Sequence, residues 1–267
     1  MGQPLSALPF ELLCDERGYL FRRAGWGAVR RTRDLASRPM RLGAMANAPA
    51  SVQVAWVNVK QSGAQAMDDA LFTAHDAAVQ TLAAQGVVKR LPPLPSASKR
   101  SLSDCLAEHR PHIFVWVGHG VDSGSGLLLH DGDSPAYPSD PGRGVAATDF
   151  AWTVRQGQVD VALLWSCHGA GTFRALDVGV AEALLDPERG DVAAVLASFA
   201  ALDAAAVSKL SEDLIAAWGQ AGSDLEAALA RARAALDEGS LTWARPLLFL
   251  RTPPAAPAAT LVPSRPP

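Results

Sequence analysis

Short apolar runs alternate with segments of helical periodicity over most of the chain, between residues 51 and 251. The run at 51–60 is rich in β-branched residues, and the segment at 68–85 repeats apolar residues at helical intervals before Gly86. Strands that alternate with helices join into parallel sheets, so this order predicts an α/β fold with a mostly parallel sheet and helices on both faces. Further strands are predicted at 87–91, 113–120, 126–130, 161–167, 191–199 and 246–251, and further helices at 101–109, 148–155, 175–185, 204–218 and 223–238.

The pattern contains no internal repeat and indicates one domain, which we place at residues 1–252. The tail at 253–267 has six prolines in 15 residues and is expected to be disordered. Four helix starts are predicted from local motifs. Asp203 is the expected cap of the helix at 204–218, and Ser223 to Glu226 is a capping box that opens the last helix. Ser101 and Asp104 fit an acidic variant of the capping box, and Thr148 is the expected cap of the helix that ends at Arg155.

Composition excludes several classes of protein. The net charge of −3 gives no support to nucleic-acid binding, and the excess of arginine within residues 1–41 is interpreted as a solvated surface. The three cysteines, Cys14, Cys105 and Cys167, are too scattered for a disulfide framework or a zinc motif, which favours a reducing, cytoplasmic location. No 18-residue apolar run and no phosphate-binding glycine loop are present, so neither a membrane span nor a cofactor is expected.

Two predicted strands end in residues that can do chemistry. Ile113-Phe-Val-Trp-Val-Gly-His119-Gly120 ends in a histidine, and Val161-Ala-Leu-Leu-Trp-Ser-Cys167-His-Gly169 ends in a cysteine. In an open α/β sheet, ligands bind outside the carboxyl ends of the parallel strands. If these strands are neighbours, His119 and Cys167 meet at that edge as a base beside a nucleophile. Cys105 and His109, by contrast, share a helical face with Leu102 and Leu106 and are interpreted as packing residues.

The residue types suit acyl transfer. A histidine favours the reactive thiolate of a cysteine and can then protonate a leaving amine. Backbone N–H groups at Gly120, Cys167 and Gly169 are candidates for stabilising the oxyanion. The alternative is that both side chains are structural, a buried thiol and a hydrogen-bonded imidazole. His168 is disfavoured as the base because successive residues of an extended chain point to opposite sides, and a zinc site lacks ligand spacing.

The order of the two residues separates enzyme classes. An α/β-hydrolase elbow needs small residues around the nucleophile and a later histidine, whereas Trp165 precedes Cys167 by two positions and His119 comes first. The separation, 167 − 119 = 48 residues, agrees with the caspase spacing of about 50.

The sequence resembles the CHAT family of caspase-like peptidase domains, which are found mainly in bacteria. Leu8-Pro-Phe-Glu-Leu-Leu13 resembles the opening segment of the family, with Phe10 in place of tryptophan. Residues 113–120 resemble its histidine strand, which ends in Gly-His-Gly, and 163–167 its cysteine strand. The segments at 190–197, 203–206, 227–233 and 243–249 resemble the later strands and helices of the family in the same order.

This resemblance implies a caspase-like three-layer αβα sandwich and a His119–Cys167 dyad that cleaves peptide bonds without a cofactor. It also implies a protein substrate, such as a gasdermin-like pore former, in bacterial defence or programmed cell death. Because only seven residues precede Leu8, any sensor or activator is expected on a separate polypeptide or in a part of the protein outside this sequence. A catalytically silent interaction module with the same fold is the alternative.

Substrate preference is the least constrained prediction. Several aspartates in predicted loops and helix starts are candidates for a pocket that accepts a basic side chain, with turn or capping roles as the alternative. Asp122 and Asp203 are the main candidates for this pocket, and Asp131, Asp133 and Asp149 are further ones. The loop at 121–148, rich in Gly, Ser, Asp and Pro, is a candidate activation loop.

Overall fold

A computed structural model describes residues 14–16, 18–19, 29–31, 48–57, 69–120, 126–130, 143–166, 179–198, 204–218, 225–236 and 246–251. Cys167, His168, Gly169, Asp122, Asp131, Asp133, Asp203 and the tail at 253–267 lie outside these ranges, so the predictions made for them stay predictions. The described strands are β1 (Cys14–Asp15), β2 (Gly18–Tyr19), β3 (Val29–Arg31), β4 (Ala50–Trp56), β5 (Val88–Arg90), β6 (Ile113–Val117), β7 (Gly126–Leu129), β8 (Arg143–Ala146), β9 (Val161–Trp165), β10 (Ala194–Ser198) and β11 (Pro246–Leu250).

Seven of these strands form one sheet in the order β3-β11-β10-β9-β6-β4-β5. Strands β10, β9, β6, β4 and β5 are mutually parallel. Strand β11 runs antiparallel to β10, and β3 follows the direction of β11 at the edge. The sheet is therefore mostly parallel, as the alternation of strands and helices predicted.

Helices cover both faces of the sheet. The described helices are α1 (Asp69–Ala84), α2 (Lys99–His109), α3 (Ala147–Arg155), α4 (Val180–Leu185), α5 (Ala204–Trp218) and α6 (Leu225–Ala234). One apolar core packs α2, α3 and α4 against side chains such as Phe114 and Trp116 of β6. The other packs α1, α5 and α6 against the alternate side chains, such as Val115 of β6 and Leu163 of β9. The central strands β6 and β9 are apolar at every position because both of their faces are buried.

The helix starts predicted at Ser101 and Thr148 are wrong, and the caps predicted at Asp203 and Ser223 lie outside the described residues. Helix α2 begins one turn earlier than expected, at an N-cap formed by Ser98, whose hydroxyl accepts from the backbone N–H of Ser101. The Ser101 hydroxyl accepts in turn from the Ser98 N–H, so the capping box is Ser98–Ser101 rather than Ser101–Asp104. The N-cap of α3 is Ala146, which has no capping side chain, so Thr148 lies inside the helix. The predicted stop of α1 is confirmed by Gly86, whose φ of 74° is left-handed.

A hairpin of β7 and β8 lies beside the end of β6. The strand predicted at 126–130 is confirmed as β7, and it pairs antiparallel with β8. Gly120 forms a bridge to Leu127, which joins the hairpin to the chain just beyond β6. The sequence did not predict β8, because a single Arg-Gly-Val-Ala segment after a Gly- and Pro-rich stretch carries no strand periodicity. In the described part of the chain, no helix is both long and apolar enough to cross a membrane.

Candidate active site

His119 lies two residues beyond the carboxyl end of β6, where backbone hydrogen bonds hold the chain on three sides. The Val57 N–H donates to the Val117 carbonyl from the β4 side, at 3.1 Å. The Gly118 N–H donates to the Trp165 carbonyl of β9, also at 3.1 Å. The Leu128 N–H of β7 donates to the carbonyl of His119 itself, at 3.0 Å. The backbone that carries the imidazole is therefore fixed by β4, β9 and the hairpin.

Strands β6 and β9 are hydrogen-bonded neighbours and run parallel, as the site prediction required. Their register pairs Ile113 with Val161 and Val117 with Trp165, an offset of 161 − 113 = 165 − 117 = 48 residues. The last described residue of this strand end is Ser166, directly after Trp165. The sequence separation of His119 and Cys167 is the same 48 residues.

The imidazole of His119 lies in a poorly solvated place. The residue is half-buried, and burial lowers the pKa of His119 from its ordinary value of 6.5. Its Nε2 atom is buried and makes no hydrogen bond among the described residues. A neutral imidazole with one ring nitrogen unpaired can accept a proton, as a general base must.

Two further buried polar groups lie at the same strand ends. Trp116 is fully buried, and its ring meets Phe150 of α3 edge-on at a centroid distance of 5.5 Å. Ser166 is 2% exposed. Neither the Trp116 indole N–H nor the Ser166 hydroxyl has a hydrogen-bond partner within the described ranges. The sequence analysis missed both residues because each is an ordinary member of a buried strand, and no spacing distinguishes it.

Trp165 faces the opposite side of the sheet and is anchored there. Its indole N–H donates to the hydroxyl of Ser211 on α5, at 3.2 Å, and both residues are buried. Buried indole groups usually find such a partner. The contact ties the end of β9, immediately before Ser166 and the predicted nucleophile, to the helix layer.

The other predicted site residues fall into three groups. Gly120 is buried and bridged to Leu127, so its backbone lies at the expected edge, while its role toward an oxyanion stays a prediction. Asp149 lies in the first turn of α3 with its carboxylate 3.2 Å from the Lys99 Nζ, and both side chains are more than half exposed. It is therefore a surface ion-pair residue rather than the helix cap. The remaining candidates, Asp122, Asp131, Asp133, Asp203 and Gly169, are outside the described residues.

Cys105 contrasts with the predicted nucleophile. It is half-buried on α2, where desolvation and then the charge of Glu108 raise the pKa of its thiol to about 11. The group is thus a neutral thiol near pH 7, consistent with the packing role predicted for it. The described portions of the chain contain no cluster of three or more His, Cys, Asp or Glu side chains that could hold a metal ion.

Two comparisons of the sequence with known proteins found no match. No protein-family model matches it, and no curated protein matches it in sequence.

Solved structures do resemble the fold. The Arg-specific cysteine proteinase gingipain R superimposes with a TM-score of 0.52 at 12% identity, over 82% of this chain and 48% of that chain. A Saccharomyces cerevisiae separase–securin complex gives a TM-score of 0.48 at 14% identity, over 77% of this chain and 12% of the other. This chain therefore spans about half of the gingipain chain and a small part of the separase chain.

At these identities the likeness shows the fold alone. The mostly parallel sheet between two helix layers, with an antiparallel strand near one edge, is a caspase-like three-layer αβα sandwich, as predicted. The candidate site lies at the carboxyl edge of its central strands β6 and β9.

Proposed function

We propose that this protein is a caspase-like cysteine endopeptidase of the CHAT type, in which Cys167 is the nucleophile and His119 is the base. The observation that carries the proposal is the register of β6 and β9. Their offset of 48 residues equals the separation of the two residues, so each comes two positions after a residue of the register pair Val117–Trp165. Neighbouring parallel strands are about 4.8 Å apart, which is within reach of a histidine–cysteine contact.

The alternation of side chains supports the same pairing. Val115 and Val117 of β6, and Leu163 and Trp165 of β9, face the core beneath α1, α5 and α6. His168 follows Cys167 directly, and successive residues of an extended chain point to opposite sides, so His168 is not expected beside the Cys167 thiol. His119 is therefore the better candidate for the base.

The proposed reaction follows from these two groups. The His119 imidazole takes the thiol proton of Cys167, and the sulfur attacks the scissile carbonyl carbon, whose π electrons move to the oxygen. The oxyanion collapses to a thioester as the C–N bond breaks, and the imidazolium gives its proton to the leaving amine. His119 then deprotonates a water molecule, which attacks the thioester and releases the carboxylic acid and the thiol.

Other parts of the proposal come from the sequence itself and from the resemblance to the CHAT family. Backbone N–H groups at Gly120, Cys167 and Gly169 are the proposed oxyanion donors, and Asp122 and Asp203 are proposed for the substrate pocket. We assign residues 1–252 to the peptidase domain and the tail at 253–267 to a disordered extension. The proposed substrate is a partner protein in bacterial defence or cell death, in the cytoplasm, with a separate sensor or activator.

The test is cleavage of a mixed fluorogenic peptide library by the native protein and by Cys167→Ala. We expect turnover by the native protein and its loss in the variant. Cys105→Ala is the matched control, because it removes a cysteine whose thiol has a raised pKa and lies on α2. Equal turnover by native protein and Cys167→Ala would refute the proposal.

Absence of turnover in all variants has two explanations, an enzyme that needs its activator and a catalytically silent module. The alkylation rate of Cys167 separates them, since an activated cysteine reacts faster than a free thiol. A rate no faster than that of a free-thiol reference would favour the silent module.

A further inference from the structure

The indole ring of Trp116 lies on the side of Gly118 where a side chain would stand, directly before His119. A Cβ atom placed on Gly118 would lie 3.2 Å from Cζ2, 3.2 Å from Nε1 and 3.3 Å from Cε2 of that ring. Distances of this size are tighter than about nine in ten real contacts of a Cβ atom, so a side chain at position 118 would require the ring or the backbone to shift by a few tenths of an ångström. The ring of Trp116 therefore packs beside the chain two residues further on.

The ring is not free to move aside. Trp116 has 0% exposure, and Phe150 of α3 packs edge-on against it at an interplanar angle of 66°. Phe114, two residues earlier on the same face, packs on the other part of Phe150 at 6.4 Å. Because close-packed interiors transmit displacement rather than absorb it, pressure on the ring from Gly118 would move the backbone of Gly118 instead.

A hydrogen bond does not explain why the residue is a tryptophan. Buried indole N–H groups normally find an acceptor, but the Nε1 atom of Trp116 has none among the described residues. A phenylalanine would fill much of the site without burying an unpaired donor. The indole is therefore explained by its larger shape, whose Nε1, Cε2 and Cζ2 atoms lie on the side of Gly118 where a side chain would stand.

We propose that Trp116 is a positioning residue for His119. Its ring limits how far the backbone of Gly118 can move toward the face covered by α2, α3 and α4, and it thereby sets the position of His119. The backbone hydrogen bonds of this segment join Gly118 to Trp165 of the main sheet and His119 to Leu128 of the separate β7–β8 hairpin. The ring adds a packing contact on the face of the sheet covered by α2, α3 and α4. The inference rests on the proposed function only in taking His119 as the base.

The experiment compares Gly118→Ala, Trp116→Phe and the double variant with the native protein. Alanine at position 118 presses on the ring, and phenylalanine at 116 removes the atoms it presses on. Gly157→Ala is the matched control, because its Cβ would lie 3.0 Å from the Cβ of Leu106, just after α3 and away from the carboxyl edge. The readouts are kcat, KM, Tm and the NMR signal of the His119 ring, assigned by its loss in His119→Gln.

We expect Gly118→Ala to lower kcat about 10- to 100-fold with KM changed less than about twofold, because misplacement of a reacting group acts on the chemical step. The double variant should recover at least about fivefold of that loss and restore the ring signal. Trp116→Phe alone should lower kcat about 3- to 10-fold. Gly157→Ala should lower Tm and leave both kcat and the ring signal unchanged.

The NMR signal of the His119 ring tests the positioning role of Trp116 separately from the proposed peptidase activity. If no variant turns over a peptide, displacement of the His119 signal by Gly118→Ala and its return in the double variant still support the positioning role. Unaltered turnover in Cys167→Ala would refute the peptidase dyad without touching that result. If the His119 ring signal is native in both Gly118→Ala and Trp116→Phe, the inference is overturned. If Gly118→Ala does not fold, a displaced His119 signal in Trp116→Phe supports the inference and a native signal overturns it.

Discussion

The reactivity of the cysteines gives the most direct quantitative test of the site. Cys105 serves as an internal reference, because burial and the charge of Glu108 raise the pKa of its thiol from 9.0 to about 11. A shift of two units lowers the thiolate fraction at neutral pH about 100-fold. A more basic thiolate is also the better nucleophile, with a Brønsted slope near 0.4–0.5, which returns about tenfold. The net expectation for Cys105 is alkylation about tenfold slower than that of a free thiol.

Cys167 should behave in the opposite way if it forms the proposed dyad. A neighbouring imidazole stabilises the thiolate and raises its population at neutral pH. We therefore expect Cys167 to react faster than a free thiol and at least about tenfold faster than Cys105. Replacing His119 with alanine should slow the alkylation of Cys167 and leave that of Cys105 unchanged.

The assay is a time course with iodoacetamide at pH 7.5, followed by peptide mass mapping, so that each cysteine is measured in the same sample. Glu108→Gln is the control for the reference, because removing its charge should speed the labelling of Cys105 slightly and leave desolvation as the main effect. Labelling of Cys105 at the rate of a free thiol would refute the desolvation argument. Equal rates at Cys105 and Cys167 would refute the dyad.

Three further predictions concern stability and pH. Ser211→Ala should lower the free energy of unfolding, measured by urea titration, by about 1–3 kcal/mol, because it leaves the buried N–H of Trp165 unpaired. Ser211→Thr is the control, because it keeps the hydroxyl. A loss below about 0.5 kcal/mol in Ser211→Ala would contradict the argument. Because burial lowers the pKa of His119, the acidic pH at which kcat/KM begins to decline should lie below 6.5. The free energy of unfolding should also decrease as the pH falls just below 6.5, because the unfolded chain binds the proton before the folded chain does. A decline of kcat/KM that begins above pH 6.5, or a loss of stability that is unchanged in His119→Gln, would count against this reasoning. Lys99→Gln should change the free energy of unfolding by less than about 1 kcal/mol, since its pair with Asp149 is exposed on both sides, and a larger change in the same titration would show that the pair is more than a surface contact.

The fold was predictable where burial and periodicity agree. The helix predicted at 204–218 is confirmed at both ends as α5, and the strand predicted at 51–60 is confirmed as β4 at Ala50–Trp56. Apolar patterns fix such elements because the residues that repeat are those that the two cores bury. Helix starts were less predictable. Ser98 and Ser101 form a reciprocal cap without a carboxylate or amide, so they lack the usual signature of the motif.

The candidate site was predictable in its residue types and only partly in its surroundings. Apolar runs ending in His119 and Cys167 indicated strand ends, and the confirmed parallel pairing of β6 with β9 supplies the neighbour relation that letters alone cannot. The hairpin strand β8 and the support of Gly118 by Trp116 were missed, because both depend on contacts between residues that no sequence period relates. Strand order and close packing are properties of the assembled chain, whereas periodicity is local.

The distribution of unpaired polar groups links stability to the proposed chemistry. Nε1 of Trp116, Nε2 of His119 and Oγ of Ser166 are all buried without partners among the described residues, and all lie within three residues of the proposed dyad. Each such group costs about 1–3 kcal/mol, and folded proteins leave few of them. Trp165, one residue from Ser166 but on the opposite face, is paired, so burial at this edge does not by itself prevent pairing. Among the described residues, an unpaired buried atom also occurs away from this strand end, at Oε1 of Gln53 on β4, so such groups support the proposed site only together with the parallel pairing of β6 and β9.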